Sequence, residues 1–193
     1  GFFSTYWAKL CTAIGLDVET VPGDWQDGID LERLAETLRQ DQDGRLKAVC
    51  VVQNETSTGV TNDIAAVRAA LDAAGHKALL LVDTISSLGS IDFRMDDWGV
   101  DVAVGGSQKG LMLPVGLSFT CVSERAMKSR RNGLIPHHYW SWEEYAPQQN
   151  RFIFPGTAPT QIFEAMAAAL DIIEAEGFDN VLARHHRLAS ATR

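Results

Sequence analysis

A lysine and an aspartate, each placed beyond a short apolar run, are the residues of this chain best suited to chemistry. Leu79-Leu-Leu-Val-Asp83 ends in a carboxylate, and Val100 to Val104 is followed by Gly-Gly-Ser-Gln-Lys109. Such apolar runs are typical of central strands in a parallel sheet that is covered on both faces. Because ligands of open α/β sheets bind beyond the carboxyl ends of the strands, both side chains are predicted to face one crevice.

An amine and a carboxylate in one crevice suit a particular cofactor. An amine can form a Schiff base with an aldehyde, and a carboxylate can keep a pyridine nitrogen protonated so that the ring accepts electrons from a substrate carbanion. This is the chemistry of pyridoxal phosphate. The alternative is that neither residue has a role in chemistry, with Lys109 a surface lysine and Asp83 a helix-capping aspartate.

Polar residues follow a third predicted strand. Gln53-Asn-Glu-Thr-Ser-Thr-Gly59 comes after the apolar run Ala48 to Val52, and a polar cofactor needs such hydroxyl and amide groups. Together with Val82-Asp-Thr-Ile-Ser-Ser-Leu-Gly89 and Gly106-Ser-Gln-Lys-Gly110, this stretch resembles the class V group of fold-type I pyridoxal-phosphate aminotransferases. The resemblance runs nearly from end to end, from Gly1-Phe-Phe-Ser-Thr-Tyr-Trp7 through Val21-Pro-Gly-Asp-Trp25 to Asn180-Val-Leu-Ala-Arg-His-His186. It implies an α/β fold of three layers, αβα, around a mostly parallel sheet.

The resemblance also assigns roles to individual residues. Lys109 would be the Schiff-base lysine and would move the proton between the substrate α-carbon and C4′ of the cofactor, and Asp83 would hold the pyridine nitrogen. Thr56 would hydrogen-bond near the phenolic oxygen, Gln108 would reach the phosphate with its amide, and Phe3 would stack on the ring. The alternatives are core packing for Phe3, a strand-end capping amide for Gln108 and a turn-forming hydroxyl for Thr56.

Thr157, in Phe154-Pro-Gly-Thr-Ala-Pro159, matches a position from which the neighbouring subunit of a family dimer reaches the phosphate. The resemblance therefore implies a homodimer with a shared active site. A compatible alternative makes Thr157 the N-cap of the helix expected over Ile162 to Ile173. Two departures from the family pattern stand out: Gln53 where relatives usually have His, and Phe154 where some relatives have a phosphate-binding Tyr.

Within the family, the resemblance is strongest to the serine–glyoxylate group, which implies transfer of the amino group of L-serine to glyoxylate, giving hydroxypyruvate and glycine. An alanine–glyoxylate or other small-amino-acid aminotransferase is the alternative in the same class. The alternative from another class is a truncated, non-catalytic dimer scaffold.

The chain begins without Met and ends in a helical stretch, which suggests a fragment. Residues 1–158 are expected to form an incomplete large cofactor-binding domain. Residues 159–193 are expected to lead to a small C-terminal domain that carries the substrate-carboxylate arginine.

Composition narrows the choice of partners. With a net charge of -8 and a pI near 5.0, the chain has no general attraction to nucleic acid or anionic membranes. No apolar stretch approaches the ~20 residues of a membrane helix and no signal peptide is visible, so a cytoplasmic protein is expected.

Cys11, Cys50 and Cys121 are scattered, which predicts reduced core residues. No metal is expected at the adjacent histidines, 137–138 and 185–186, because neighbours on a helix do not face one site.

The hydrophobic pattern predicts alternating helices and strands. Asp30 and Ser123 are the predicted N-caps of two of the helices. The predicted helices cover residues 3–14, 30–38, 62–74 and 123–130. The predicted strands cover residues 18–21, 48–52, 78–82, 100–104 and 115–122, with the last of them antiparallel by resemblance.

Overall fold

The computed structural model describes residues 1–129, 139–145 and 156–193. Its strands are β1 (Ala48–Val52), β2 (Asn54–Glu55), β3 (Val60–Thr61), β4 (Leu79–Asp83), β5 (Val102–Gly106) and β6 (Ser118–Val122). Its helices are α1 (Phe2–Ala13), α2 (Leu31–Gln40), α3 (Ile64–Ala73), α4 (Glu124–Ser129), α5 (Trp142–Tyr145), α6 (Thr160–Glu176) and α7 (Phe178–Thr192).

The main sheet has four strands in the order β1-β4-β5-β6. The first three are parallel, with Val52 opposite Asp83 and Asp83 opposite Val104, whereas β6 runs antiparallel to β5. β2 and β3 form a separate hairpin directly after β1. The carboxyl ends of β1, β4 and β5 therefore lie at one edge of the sheet, as the sequence predicts.

Two helices build the hydrophobic core on the sheet. Leu34 and Leu38 of α2 pack with Ile64, Val67 and Leu71 of α3, and all five are buried. Burying each of these side chains fully contributes about 1.5–3 kcal/mol. The apolar positions recur at helical spacing, which is why these segments fold as amphipathic helices.

Aspartates fix the starts of both core helices. The Asp30 side chain accepts a hydrogen bond from the backbone N–H of Arg33, which confirms the predicted cap of α2. In α3, Asp63 accepts from the N–H of Ala66, so this helix begins two residues later than predicted. Each cap satisfies an N–H that has no partner within its helix.

The opposite edge of the sheet is fixed by Asp101, which is buried just before β5. Its carboxylate accepts from Leu80 N–H (2.8 Å), from Ser123 Oγ (3.0 Å), and from the Nε (2.8 Å) and Nη2 of Arg125. Burial raises the pKa of Asp101, but the hydrogen bonds and the charge of Arg125 outweigh it and hold the pKa below its usual value. This ion pair ties α4 to the strands.

Two sequence predictions are wrong. Residues 18–21 form no strand; Val18 and Thr20 instead line a depression along α1. β propensity alone cannot make a strand without a partner. The cysteines are not core residues either, since Cys50 and Cys121 are exposed and Cys11 is half-buried. Cys50 and Cys121 lie on β1 and β6, the two outer strands of the main sheet.

Candidate active site

Asp83, the last residue of β4, is a buried carboxylate, with 5 % of its surface exposed. Its Oδ1 accepts a hydrogen bond from Ile85 N–H (2.8 Å), and its Oδ2 accepts one from Trp7 Nε1 (3.1 Å). Burial raises the pKa of Asp83 above its usual value; repulsion from Glu55 adds to this, and the two hydrogen bonds oppose it only in part. Among the described residues, no cationic side chain contributes to this pKa.

Lys109 lies in the loop that follows β5, and its side chain is exposed. Buried Ser107 anchors this loop, because its Oγ donates to Pro114 O (2.7 Å) and accepts from Leu117 N–H (3.3 Å). The Lys109 carbonyl accepts from the N–H of Met112, whose φ of 59° lies in the left-handed region. The loop is thus held at both ends while the amine stays accessible.

The loops after β4 and β5 press against each other at two glycines. A Cβ at Gly110 would lie 2.3 Å from the carbonyl oxygen of Leu88, and a Cβ at Gly89 would lie 3.1 Å from the carbonyl carbon of Gly110. Gly89 also has φ 78°, a conformation that other residues rarely adopt. The backbone next to Lys109 is therefore packed on the loop that begins at Asp83. This is the one-edge arrangement that the sequence predicts.

The β2–β3 hairpin brings Thr56 to the same edge. Thr56 is exposed in the turn between the two strands, which is the position that the turn-residue alternative describes. Asn54 ties the hairpin to the loop after β4, since its Nδ2 donates to Ser86 Oγ (2.9 Å) and Ser86 Oγ donates to its carbonyl (2.7 Å). Thr56 is thereby held beside the loop of Asp83.

Gln53, one of the two departures from the family pattern, is buried with both ends of its amide satisfied. Its Nε2 donates to the carbonyl of Asp92 (2.8 Å), and its Oε1 accepts from the buried hydroxyl of Ser87 (2.6 Å). The amide therefore preserves the local packing. Phe154, the other departure, lies outside the described residues, as do His137 and His138.

Helix α1 carries Phe3 to the site. Phe3 is 37 % exposed, so it is not a core residue, and it lies four residues before Trp7, which puts both on one face of the helix. Since Trp7 contacts Asp83, Phe3 is held near the same edge. Glu55 fixes the start of α1 by accepting from the N–H groups of Phe3 (3.1 Å) and Ser4 (3.2 Å).

Gln108 and Thr157 have different settings. The Gln108 side chain is exposed, and its Oε1 lies 3.1 Å from where a Cβ of Gly106 would be, so the missing side chain of Gly106 makes room for it. Thr157 is exposed before α6, whose N-cap is Pro159, so the alternative in which Thr157 caps this helix is wrong. No hydrogen bond or ion pair of the described residues joins Thr157 to Asp83 or Lys109.

The sequence did not predict the roles of three site residues: Trp7, which contacts Asp83, Glu55, which fixes the start of α1, and Ser107, which anchors the loop of Lys109. The spacing of four between Phe3 and Trp7 was a usable signal for a shared helix face. Nothing in the sequence pairs Glu55 or Asp83 with α1, because those contacts span 52 and 76 residues.

Metal-ligand clusters and membrane-spanning helices are both absent from the described part of the chain. The described residues contain no cluster of three or more His, Cys, Asp or Glu able to hold a metal ion. The helices in the described ranges are too short or too polar to cross a membrane.

Comparison with known proteins places the chain in a family. Over its whole length it is 46% identical to a serine–glyoxylate aminotransferase of Hyphomicrobium methylovorum, of which it covers 48%. It is also 46% identical to an L-aspartate–glyoxylate aminotransferase of Paracoccus denitrificans, of which it covers 49%. It thus spans about half the length of these curated relatives. The fold matches a crystal structure of an alanine–glyoxylate aminotransferase from Nostoc sp. with a TM-score of 0.87 and 31% identity, over 99% of this chain and 50% of that one. This confirms the three-layer αβα fold. Because the model for class V aminotransferases matches residues 3–193, the chain belongs to the class V aminotransferase family.

Proposed function

We propose that the complete protein is a pyridoxal-phosphate-dependent aminotransferase that takes the amino group of L-serine and gives it to glyoxylate, forming hydroxypyruvate and glycine. The observation that carries the proposal is the buried Asp83 carboxylate, which no cation of the described residues neutralises, beside a loop that bears the exposed amine of Lys109. The serine–glyoxylate relative at 46% identity supports the choice of substrates.

The residues present fit this cofactor. A buried carboxylate without a cation is costly, and a protonated pyridine nitrogen would supply the missing positive charge. Phe3 offers an exposed aromatic ring, and Thr56 and Gln108 offer exposed polar side chains around the same edge. Pyridoxal phosphate, when bound, supplies an electron-accepting ring.

Each side chain has a defined task in this proposal. Lys109 holds the cofactor through its Nζ and moves a proton to and from the substrate α-carbon. Asp83 keeps the proton on the pyridine nitrogen, and Phe3 stacks on the ring and excludes water from one face. Thr56 hydrogen-bonds near the phenolic oxygen, and the Gln108 amide donates to the phosphate.

The proposal extends to the assembly and to the organisation of the chain. Two copies form a homodimer in which Thr157 of one subunit reaches the phosphate held by the other, which agrees with its exposed position. Residues 1–158 belong to the large domain, and residues 159–193, which contain α6 and α7, lead towards a small domain. The protein acts in the cytoplasm on amino acids and 2-oxo acids.

Labelling of the complete protein with pyridoxal phosphate tests the cofactor. We expect a visible absorbance band, and after borohydride reduction and peptide mapping we expect the label on Lys109. The Lys109→Ala variant should show neither, while Lys128→Ala, which removes an exposed lysine from α4, should behave as wild type. No band, or a label elsewhere, would favour the non-catalytic scaffold.

Competition between amino donors tests the substrate. L-serine, L-alanine and L-aspartate are offered together with glyoxylate, and the consumption of each is measured. The L-aspartate–glyoxylate relative has the same 46% identity as the serine–glyoxylate relative, so L-aspartate is included as an alternative donor. A preference for alanine or aspartate over serine would overturn the proposal that L-serine is the amino donor, while the proposed aminotransferase activity would stand.

A further inference from the structure

Trp7 makes the one hydrogen bond between α1 and the Asp83 carboxylate that the described residues record. Its indole Nε1 donates to Oδ2 at 3.1 Å, while the backbone N–H of Ile85 donates to Oδ1 at 2.8 Å. Each carboxylate oxygen thus has one donor. Two donors on different oxygens fix the rotation of the carboxylate as well as its position.

Two donors leave the carboxylate free to accept a third. An ionised carboxylate has about four acceptor positions on its two oxygens, so Trp7 and Ile85 occupy roughly half of them. Burial limits what else can reach the rest, since Asp83 is only 5 % exposed. The two fixed donors therefore decide which lone pairs remain for a ligand.

From this geometry we infer that Trp7 is a positioning residue of the active site, which orients Asp83 for the pyridine nitrogen of pyridoxal phosphate through its indole N–H. This inference rests on the proposed function. The indole also favours the ionised carboxylate, so the shared proton stays on the pyridine nitrogen rather than moving to Asp83. Trp7 itself does not touch the reacting atoms.

The first turn of α1, the helix that carries Trp7, is held in place by hydrogen bonds to Glu55. Glu55 accepts from the N–H groups of Phe3 and Ser4 and from the hydroxyl of Ser4, so the first turn of the helix is anchored to β2. Trp7 follows one turn later. The hydrogen bond to Asp83 therefore comes from a rigid element and not from a loop.

The variant Trp7→Phe tests the inference, because it keeps an aromatic ring and removes the N–H. In the complete protein, the dissociation constant for pyridoxal phosphate is expected to rise about tenfold, the order of one hydrogen bond to a charged group. Trp98→Phe is the matched control. Trp98 lies before β5, at the opposite edge of the sheet, and packs edge-on against Phe93.

The pH dependence of cofactor binding separates positioning from general damage. Losing the indole N–H removes an interaction that favours the charged carboxylate, so Asp83 of Trp7→Phe protonates at a higher pH and affinity falls earlier as the pH drops. Glu55 on β2 is the charged group of the described residues that acts on the pKa of Asp83. The variant retains it, and it also retains Lys109 in the loop after β5. A loss of affinity with an unchanged pH midpoint would mean a structural role only and would overturn the inference.

Other outcomes are equally decisive. A Trp7→Phe variant that binds the cofactor as tightly as wild type would show that the indole N–H makes no contribution to binding. Tighter binding would show that the indole competes with the cofactor for Asp83, and either result would overturn the inference. Should this variant not fold, as judged by circular dichroism, the indole N–H proton of Trp7 in the wild-type protein is followed by NMR. The chemical shift of this proton is expected to stay downfield of that of a free indole when pyridoxal phosphate is added, because the hydrogen bond to Asp83 persists. A shift to the value of a free indole would overturn the inference. Wild-type protein that does not bind pyridoxal phosphate would instead refute the proposed function.

Discussion

Asp83 combines two features that rarely occur together in a purely structural carboxylate. It is buried at the end of a central strand, and no cation among the described residues neutralises it. Structural carboxylates at such depth are usually paired, as Asp101 is with Arg125 in this same sheet. The contrast between the two aspartates supports the ligand-binding role proposed for the first and a stabilising role for the second.

Replacing Asp83 with Asn is expected to raise the dissociation constant for pyridoxal phosphate by about tenfold or more, because a neutral amide cannot balance a protonated pyridine nitrogen. Burial holds the Asp83 pKa above its usual value, so wild-type affinity should be full above this pKa and fall as the pH drops through it. The variant should lack that step. A spectroscopic titration at several pH values measures both effects.

The control for this prediction is Asp92→Asn. Asp92 carries the same charge, but its side chain is half-exposed and pairs with Arg94 at the surface. Its replacement should leave the cofactor affinity unchanged. Equal losses in both variants would mean that net charge, and not the buried carboxylate, governs binding.

At the scale of elements, α1 depends on a carboxylate that is distant in sequence. Glu55 lies at the N-terminus of the helix, where a negative charge is favourable, and its pKa is lowered. Burial alone would raise this pKa, but the hydrogen bonds from Ser57, Phe3 and Ser4 outweigh it. Because the folded-state pKa is depressed, the stabilisation is present above the unfolded-state pKa and is lost as the pH falls through the folded-state pKa.

The variant Glu55→Gln is expected to lower the free energy of unfolding by about 1 kcal/mol at neutral pH, which is typical for loss of a helix cap. It should also weaken cofactor binding, since Phe3 and Trp7 both depend on the first turn of α1. Glu32→Gln, an exposed change in the first turn of α2, is the control. Thermal unfolding and cofactor titration check the two effects, and a stable helix with normal affinity would contradict the role of Glu55.

The elements show what local sequence could and could not predict. Strand β1 and the Asp30 cap agree with the prediction because apolar period and capping are local signals. The strand expected over residues 18–21 fails because a strand needs a pairing partner, which a local pattern does not supply. The contacts of Trp7 with Asp83 and of Glu55 with α1 were beyond prediction for the same reason: they depend on how distant elements pack.

At the scale of the whole molecule, the two edges of the sheet have different tasks. The carboxyl edge gathers Asp83, the loop of Lys109 and the β2–β3 hairpin. The amino edge contains Asp101, which joins β4, β5 and α4 through Leu80, Ser123 and Arg125. A change at the amino edge should therefore affect stability without affecting the site.

Asp101→Asn tests this separation. The variant leaves Arg125 without its buried partner, and because the guanidinium is half-exposed the expected loss is about 2–3 kcal/mol at neutral pH, below that of a fully buried pair. The folded-state pKa of Asp101 is depressed, so its stabilisation is present above the unfolded-state pKa and is lost as the pH falls through the folded-state pKa. The difference in melting temperature between wild type and variant should accordingly shrink in acid. Cofactor affinity, measured well below the melting temperature of both proteins, should be equal; a matching loss of affinity would show that the two edges are coupled through β4 and β5.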